Sequence, residues 1–341
     1  MAPKTFKLNE MDNVFKKILI AFDGSDSSKS ALQSAYGVAQ KFNSELTALV
    51  VSEKDTKPDT AKSYLQDFAQ SKRLHIEIIE RNGAVYDEVV KLEMKYGYGL
   101  ILIGSHGTNG WKPLWMGGNA FKVISSSTCP VISVPEKSSS PELNHILLPL
   151  LDSVTTRQKV PYCIQLAKAF GSTVHILGIS KSSSSETKKH VSSYVKQTIN
   201  YLSKKGIKNT HEEKYGVNVA ESCISYGEEV NAGLMLIMTE TESAGLFMGT
   251  YAQQLVNSST LPVMSIHSRD TRLAGASGYY LQSLIPNNFS RNWLSRGHNY
   301  QLVNIHMHWS TNGKPNSVCN VLSYQVFKTE IYIFGFLRIS V

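Results

Sequence analysis

A chain of 341 residues exceeds the usual size of a single domain, so two domains are expected, each large enough to bury its own core. Hydrophobic residues make up 42% and charged residues 18%, an ordinary globular balance, and no uninterrupted apolar run reaches the roughly 20 residues needed to span a bilayer. The net charge of +8 is unevenly placed: six basic residues and one acidic residue follow Thr271, so the tail carries +5 and the rest only +3, and no basic surface interleaved with stacking aromatics argues for nucleic acid.

In chain order, Ile18 to Phe22 reads as a buried strand and Ser27 to Phe42 as a helix with Ala31, Ala35, Val38, Ala39 and Phe42 on one face. Glu45 to Val51 is a second strand, Tyr64 to Lys72 a helix, and His75 to Ile79 a third strand. Tyr86 to Tyr96 is helical, Leu100 to Ile103 is the fourth strand, Gly118 to Ser126 is a helix, and Val131 to Val134 is the fifth strand. The Ser-Ser-Ser-Pro run within residues 137–143 marks a linker. Strands of a second unit then begin at Ile146, Thr173, Thr210, Leu234 and Val263, with similar helices between them. Strands alternating with helices imply parallel sheets covered on both faces.

The two units are related. At a constant offset of 128, Ile18 falls on Ile146, Ala39 on Ala167, Phe42 on Phe170 and Val51 on Ile179. At an offset of 132, Gly117 falls on Gly249, Ser126 on Ser258, Pro130 on Pro262 and Val131 on Val263.

The first strand ends in Phe22-Asp23-Gly24-Ser25, and later come Leu102-Ile103-Gly104-Ser105-His106-Gly107, Gly117-Gly118 and Ser127-Thr128-Cys129-Pro130-Val131. At these residues the chain resembles the universal stress protein family, over roughly residues 15 to 268 and twice over. The resemblance implies an α/β chain of two doubly wound parallel five-stranded sheets in tandem. Residues 14–136 would be a first, nucleotide-binding domain, 137–143 the linker, 144–268 a second domain with a degenerate site, and 269–341 an unassigned or disordered tail. It also implies assembly as a dimer or as a tandem pseudo-dimer within one chain, with further homo-oligomerisation left open. The family's pattern of Gly, two residues, Gly, nine residues, Gly, then Ser or Thr is met by Gly104, Gly107 and Gly117, with Gly118 standing where the hydroxyl is expected.

The chemistry of the first site follows from its place. Ligands of open parallel sheets collect beyond the carboxyl ends of the strands, where the strand order reverses. Asp23 sits just past the first strand and Gly104 just past the fourth, so the two loops meet if those strands are neighbours. Asp23 has acceptor oxygens for an adenine amino group or a ribose hydroxyl, the other role open to it being to cap the next helix, which Ser25 or Asp26 could do instead. Gly104 and Gly107 permit positive φ and the close backbone approach that a cradle of N–H groups needs. Gly117 and Gly118 open a helix whose free amides and dipole attract anions. Asn119 and His106 could hydrogen-bond phosphate, Lys112 could neutralise it, and Trp111 and Trp115 could pack over a ligand or a partner subunit. Gly24, Ser25 and Val51 complete the expected nucleotide-binding set. The expected ligand is ATP, with or without Mg2+.

In the second unit Asp23 becomes Leu151, with Asp152 one place late, and Gly104 and Gly107 become Met238 and Thr241. Glu240 and Glu242 add negative charge where phosphates would lie, so this unit is expected to serve as the pairing partner of the first. Cys129, Cys163, Cys223 and Cys319 are far apart with no CxxC pair, which argues against a disulfide framework and a zinc site. His306 and His308 in the tail are a weak metal signal. The N-terminus, with Lys4, Asn9, Glu10 and Asp12 ahead of the first apolar run, lacks the order of a signal peptide, and neither a membrane nor a nucleic-acid partner is expected, so a cytoplasmic location is. Three functions fit: a stress or signalling module in which ATP occupancy biases a conformation or an interface, a scaffold of the same fold that binds no nucleotide, and a slow ATPase. The motifs supply no catalytic residue set and no P-loop lysine, which disfavours the last.

Overall fold

The computed structural model describes residues 14–52, 58–105, 118–136, 143–153, 155–239, 250–267, 305–309, 318–327 and 330–340. The first half of the larger unit runs β1 (Lys17–Ala21), α1 (Asp26–Phe42), β2 (Glu45–Ser52), α2 (Pro58–Lys72), β3 (Ile76–Asn82), α3 (Val85–Tyr96), β4 (Leu100–Gly104), α4 (Gly118–Ser126) and β5 (Val131–Val134). The second half runs β6 (His145–Leu150), α5 (Val160–Phe170), β7 (Thr173–Ser180), α6 (Ser185–Lys204), β8 (Asn209–Tyr215), α7 (Val219–Glu229), β9 (Leu234–Thr239), α8 (Thr250–Ser258) and β10 (Val263–His267).

The strands alternate side chains between two cores. Ile18 and Ile20 of β1 face a cluster built with α1, α2, α5 and α6, whereas Leu19 and Ala21 face a cluster built with α3, α4, α7 and α8. Helices thus cover both faces, which is why the strands read as continuous apolar runs. The helix α2 begins at Pro58 rather than at Tyr64. Its first turns are polar, and Ala61 and Leu65 alone carry the early period, so its start was hidden; Pro at the first helical position costs no hydrogen bond.

The two five-stranded sheets expected from the sequence are halves of one ten-stranded sheet of order β3-β2-β1-β4-β5-β10-β9-β6-β7-β8. Every neighbouring pair is parallel except β5 and β10, which run antiparallel with Val263 opposite Ser133 and Ser265 opposite Val131. The four residues of β5 are all buried, and β10 covers what would otherwise be an open edge. Phe15, fully buried at the start of the first half, lies 6.3 Å from Tyr162 of α5 between ring centroids. The offset between halves is 128 residues at β1/β6 and β2/β7, rises to 134 at β4/β9 and falls to 132 at α4/α8. The rise follows mainly from α6, which has 20 residues against the 15 of α2.

Tyr279–Val341 forms a separate unit. Where the sequence offers no convincing period, this unit contains β11 (Ile305–Trp309), β12 (Val318–Phe327) and β13 (Glu330–Ser340) in a three-stranded antiparallel sheet of that order. The two longer strands are rich in β-branched and aromatic residues, but a register shift between Val321 and Ser323 breaks the alternation by which a strand is recognised.

Candidate functional site

In each half the chain steps outward through two strands and then returns to the other side of the first. β1 pairs with both β2 and β4, with Ile18 opposite Leu46 on one side and Leu100 on the other. The reversal therefore lies between β1 and β4, and the loop after β1 meets the end of β4 there.

Ser25 caps α1, its hydroxyl accepting from the Ser28 amide at 3.2 Å. Asp23 is not the cap. Its Oδ1 accepts from the Ser25 amide at 2.9 Å and from the Ser25 hydroxyl at 2.5 Å, which fixes the exposed carboxylate against the loop. Asp23 is exposed, and its Oδ2 makes no hydrogen bond among the described residues. Gly24, between them, has φ +82, a conformation that L side chains rarely adopt.

Gly104 is close-packed for a different reason from the one expected. It is not among the glycines with positive φ, and a Cβ placed on it would lie 2.8 Å from Ser27 Cβ and 2.9 Å from the Ser27 carbonyl carbon. Its missing side chain admits the buried first turn of α1. Ser27 Oγ in turn lies 3.2 Å from Ser25 Oγ, so Asp23, Ser25, Ser27 and Gly104 form one contiguous chain across the switch point.

Beside this chain, Phe22 stacks on Tyr64 of α2 with centroids 5.7 Å apart. Lys29 Nζ sits 5.5 Å from the Tyr64 centroid and 2.8 Å from Asp26 Oδ1, and that hydrogen bond holds the lysine above its ordinary pKa. Val51, near the end of β2, is buried in the core on the α3 and α4 side. Gly118 and Asn119 open α4. His106, Gly107, Lys112, Gly117, Trp111 and Trp115 lie outside the described residues, as do Glu240, Thr241, Glu242 and Gly249. A groove lined by Lys16, Tyr36, Gln40, Asn43, Glu45 and His75 lies at the opposite, amino-terminal edge of β2.

The second half has different chemistry at the same place. Leu151 stands for Asp23, and its amide donates to Thr156 Oγ1 at 2.9 Å. Asp152 faces His190 of α6, Oδ1 to Nδ1 3.2 Å. Met238 replaces Gly104 and is 3% exposed. A side chain of that size excludes the close approach Ser27 makes, and residues 155–159 form turns where α1 is already helical, so α5 begins only at Val160. Those turns bury Lys159, which stands at the place of Ala31 and is 1% exposed. Its Nζ donates to the Thr156 carbonyl at 2.6 Å and reaches Thr156 Oγ1 at 3.2 Å. Burial lowers its pKa to about 7. Burial also pushes the nearby Cys163 and Cys223 thiols up to about 12. No feature of the sequence distinguishes Lys159 from a solvated lysine.

Among the described residues, no group of three or more His, Cys, Asp or Glu is placed to hold a metal, and no helix is long and apolar enough to cross a membrane.

Residues 15–135 match the model of the Universal stress protein family, and a domain of that family occupies them. Universal stress protein YxiE of Bacillus subtilis is 29% identical over 147 residues, covering 36% of this chain and 99% of its own. The crystal structure of a universal stress protein from Archaeoglobus fulgidus covers 74% of this chain and 99% of its own, with a TM-score of 0.61 at 18% identity. A further structure, of a universal stress protein in complex with cAMP, is 23% identical and covers 36% of this chain and 98% of its own, with a TM-score of 0.32.

Proposed function

We propose that the universal stress domain at residues 15–135 binds one adenine nucleotide, ATP, with or without Mg2+, and that its occupancy serves a stress-response or signalling role. Residues 144–268 are then a second domain of the same kind with a degenerate site, held against the first as a pseudo-dimer within one chain. The observation that supports this reading is the exposed Asp23 carboxylate, anchored through Oδ1 at the β1/β4 switch point, whose Oδ2 could accept from a hydroxyl or amino donor. Asp23 takes the adenosine end, Gly24, Ser25 and the main chain at Val51 flank it, and Gly104, His106, Gly107, Gly117, Gly118 and Asn119 surround the phosphates. The helix start at Gly118 offers free amides and a positive dipole end to those phosphates.

In the second half the carboxylate is replaced by Leu151, the glycine by Met238 and the early helical turns by a hydrogen-bonded turn around Thr156. Such a site lacks both the acceptor and the space, so one nucleotide per chain is expected. A scaffold that acts through protein contacts without nucleotide is the second reading, favoured by Gly118, which supplies no hydroxyl.

Replacing Asp23 tests the adenosine end. Asp23→Ala is expected to weaken ATP binding ten- to a hundredfold, roughly 1.5–3 kcal/mol, because a charged hydrogen bond is lost while the phosphates keep their partners. Discrimination between ATP and GTP should narrow as well. Competition titrations with ATP, GTP and cAMP on the parent and the variant measure both. Equal affinities in the two proteins would remove Asp23 from the site.

A further inference from the structure

The carbonyls in the last turn of a helix have no partner within it and take one from elsewhere. In α4 the Ile124 carbonyl accepts from the Nε2 of His267, the last residue of β10 and so a residue of the other half. His267 is 8% exposed, and its Nδ1 lies 2.9 Å from the hydroxyl of Thr239, fully buried at the end of β9. The Thr239 hydroxyl beside Nδ1 also lies 3.3 Å from the Ile266 carbonyl, and contacts on both ring nitrogens, Thr239 on one side and Ile124 on the other, hold the ring plane. The second half thus holds the carboxyl end of the helix whose amino end, at Gly118, opens the candidate site.

The reverse connection is missing at the equivalent place. At the offset of 132, His267 falls on Pro135 and Ile124 on Val256. Proline has neither an N–H nor a polar side chain, so Pro135 cannot donate to the Val256 carbonyl. The two halves are otherwise arranged alike around the β5/β10 seam, and this bond runs in one direction only, from second half to first. A nine-residue helix is about 13 Å long, and a tilt allowed at one end moves the other.

We infer that His267 is a positioning residue through which the second half sets the orientation of α4 and thereby the phosphate side of the nucleotide site. This assigns the degenerate half a task beyond covering the β5 edge, and it rests on the nucleotide reading proposed above. His267→Leu in the full chain is expected to raise amide hydrogen exchange in residues 118–126 at least tenfold, with α8 unaffected, and to weaken ATP binding about tenfold. His267→Gln, which restores a donor, should recover most of both. Val195→Ala, in α6 on the opposite face of the second half, serves as a control, since it removes fully buried apolar volume without touching α4. It should lower the unfolding midpoint while leaving α4 exchange and ATP affinity unchanged. Unchanged α4 exchange in His267→Leu would overturn the inference, as would an equal effect of Val195→Ala. If the parent chain binds no ATP, the nucleotide reading fails separately, and the exchange data alone decide whether His267 positions α4.

Discussion

Glu93→Ala is expected to cost roughly 3 kcal/mol of folding stability, which for a unit of this size lowers the thermal midpoint by about 6–12 °C. Glu93 is 3% exposed on α3, and its carboxylate organises the segment that carries the chain from α4 into β5. Oε1 accepts from the Thr128 amide at 2.9 Å, the Thr128 hydroxyl at 2.7 Å and the Cys129 amide at 2.6 Å, and Oε2 lies 3.2 Å from the Thr128 amide. Truncation leaves these donors without an acceptor beside a nearly fully buried Cys129. The second half holds the same turn without a buried carboxylate, the Leu261 amide donating to Ser259 Oγ at 3.1 Å. The equivalent of Glu93 is Gly227, onto which Leu261, the equivalent of Cys129, packs so closely that a Cβ would lie 2.7 Å from its Cδ1. Glu228, which accepts from Thr260 at 3.0 Å at the exposed surface, is the control: Glu228→Ala should change stability by no more than about 0.5 kcal/mol. Comparable losses in the two variants, measured by thermal unfolding, would show that Glu93 owes nothing to its burial.

Lys159→Met should act in the opposite direction, stabilising the chain by about 3 kcal/mol at pH 6. In the folded chain burial brings the Lys159 pKa down to about 7 from its ordinary 10.5, so the unfolded chain holds this proton more tightly. The unfolded state therefore binds more protons between about pH 7 and 10.5, and stability rises with pH across that window. Below pH 7 the full penalty of a buried ammonium is present; toward pH 10.5 it disappears. Methionine keeps the length and apolar character of the stem but carries no charge, at the cost of the hydrogen bonds to Thr156. The gain should be greatest below pH 7 and shrink steadily as pH rises. Chemical denaturation from pH 6 to pH 10 measures it, and parallel pH profiles for parent and variant would mean that Lys159 is not charged at a cost in the fold.

These two residues also show where the sequence ceases to be informative. The strands and helices were legible because the repeat presents each pattern twice and because apolar runs such as Ile18 to Phe22 are far too short to cross a bilayer and read as buried strands. The alternation left the pairing of β1 with β4 as a condition, which the structure meets. Glu93 and Lys159 were not legible, since each lies in a segment with charged neighbours and is buried only by what packs across it: the turn before β5 for one, the delayed start of α5 for the other. At the candidate site the sequence marked Asp23 and Gly104 but could not distinguish a glycine that admits a ligand from one that admits Ser27. His267 gave no signal at all, because its partners, Thr239 and Ile124, come together only when the two halves share one sheet. In the tail, irregular register hid a three-stranded sheet.

One half of the larger unit is expected to bind a nucleotide and the other is not. Isothermal titration of the full chain with ATP and Mg2+ tests it most directly, because stoichiometry is read independently of affinity. One ATP per chain is the predicted result, since the anchored Asp23 carboxylate and the Gly104 that lets the first turn of α1 pack against the end of β4 occur once, and Leu151 and Met238 stand in their places in the other half. Two ATP per chain would contradict the asymmetry, and no heat at millimolar ATP would contradict nucleotide binding and leave the scaffold.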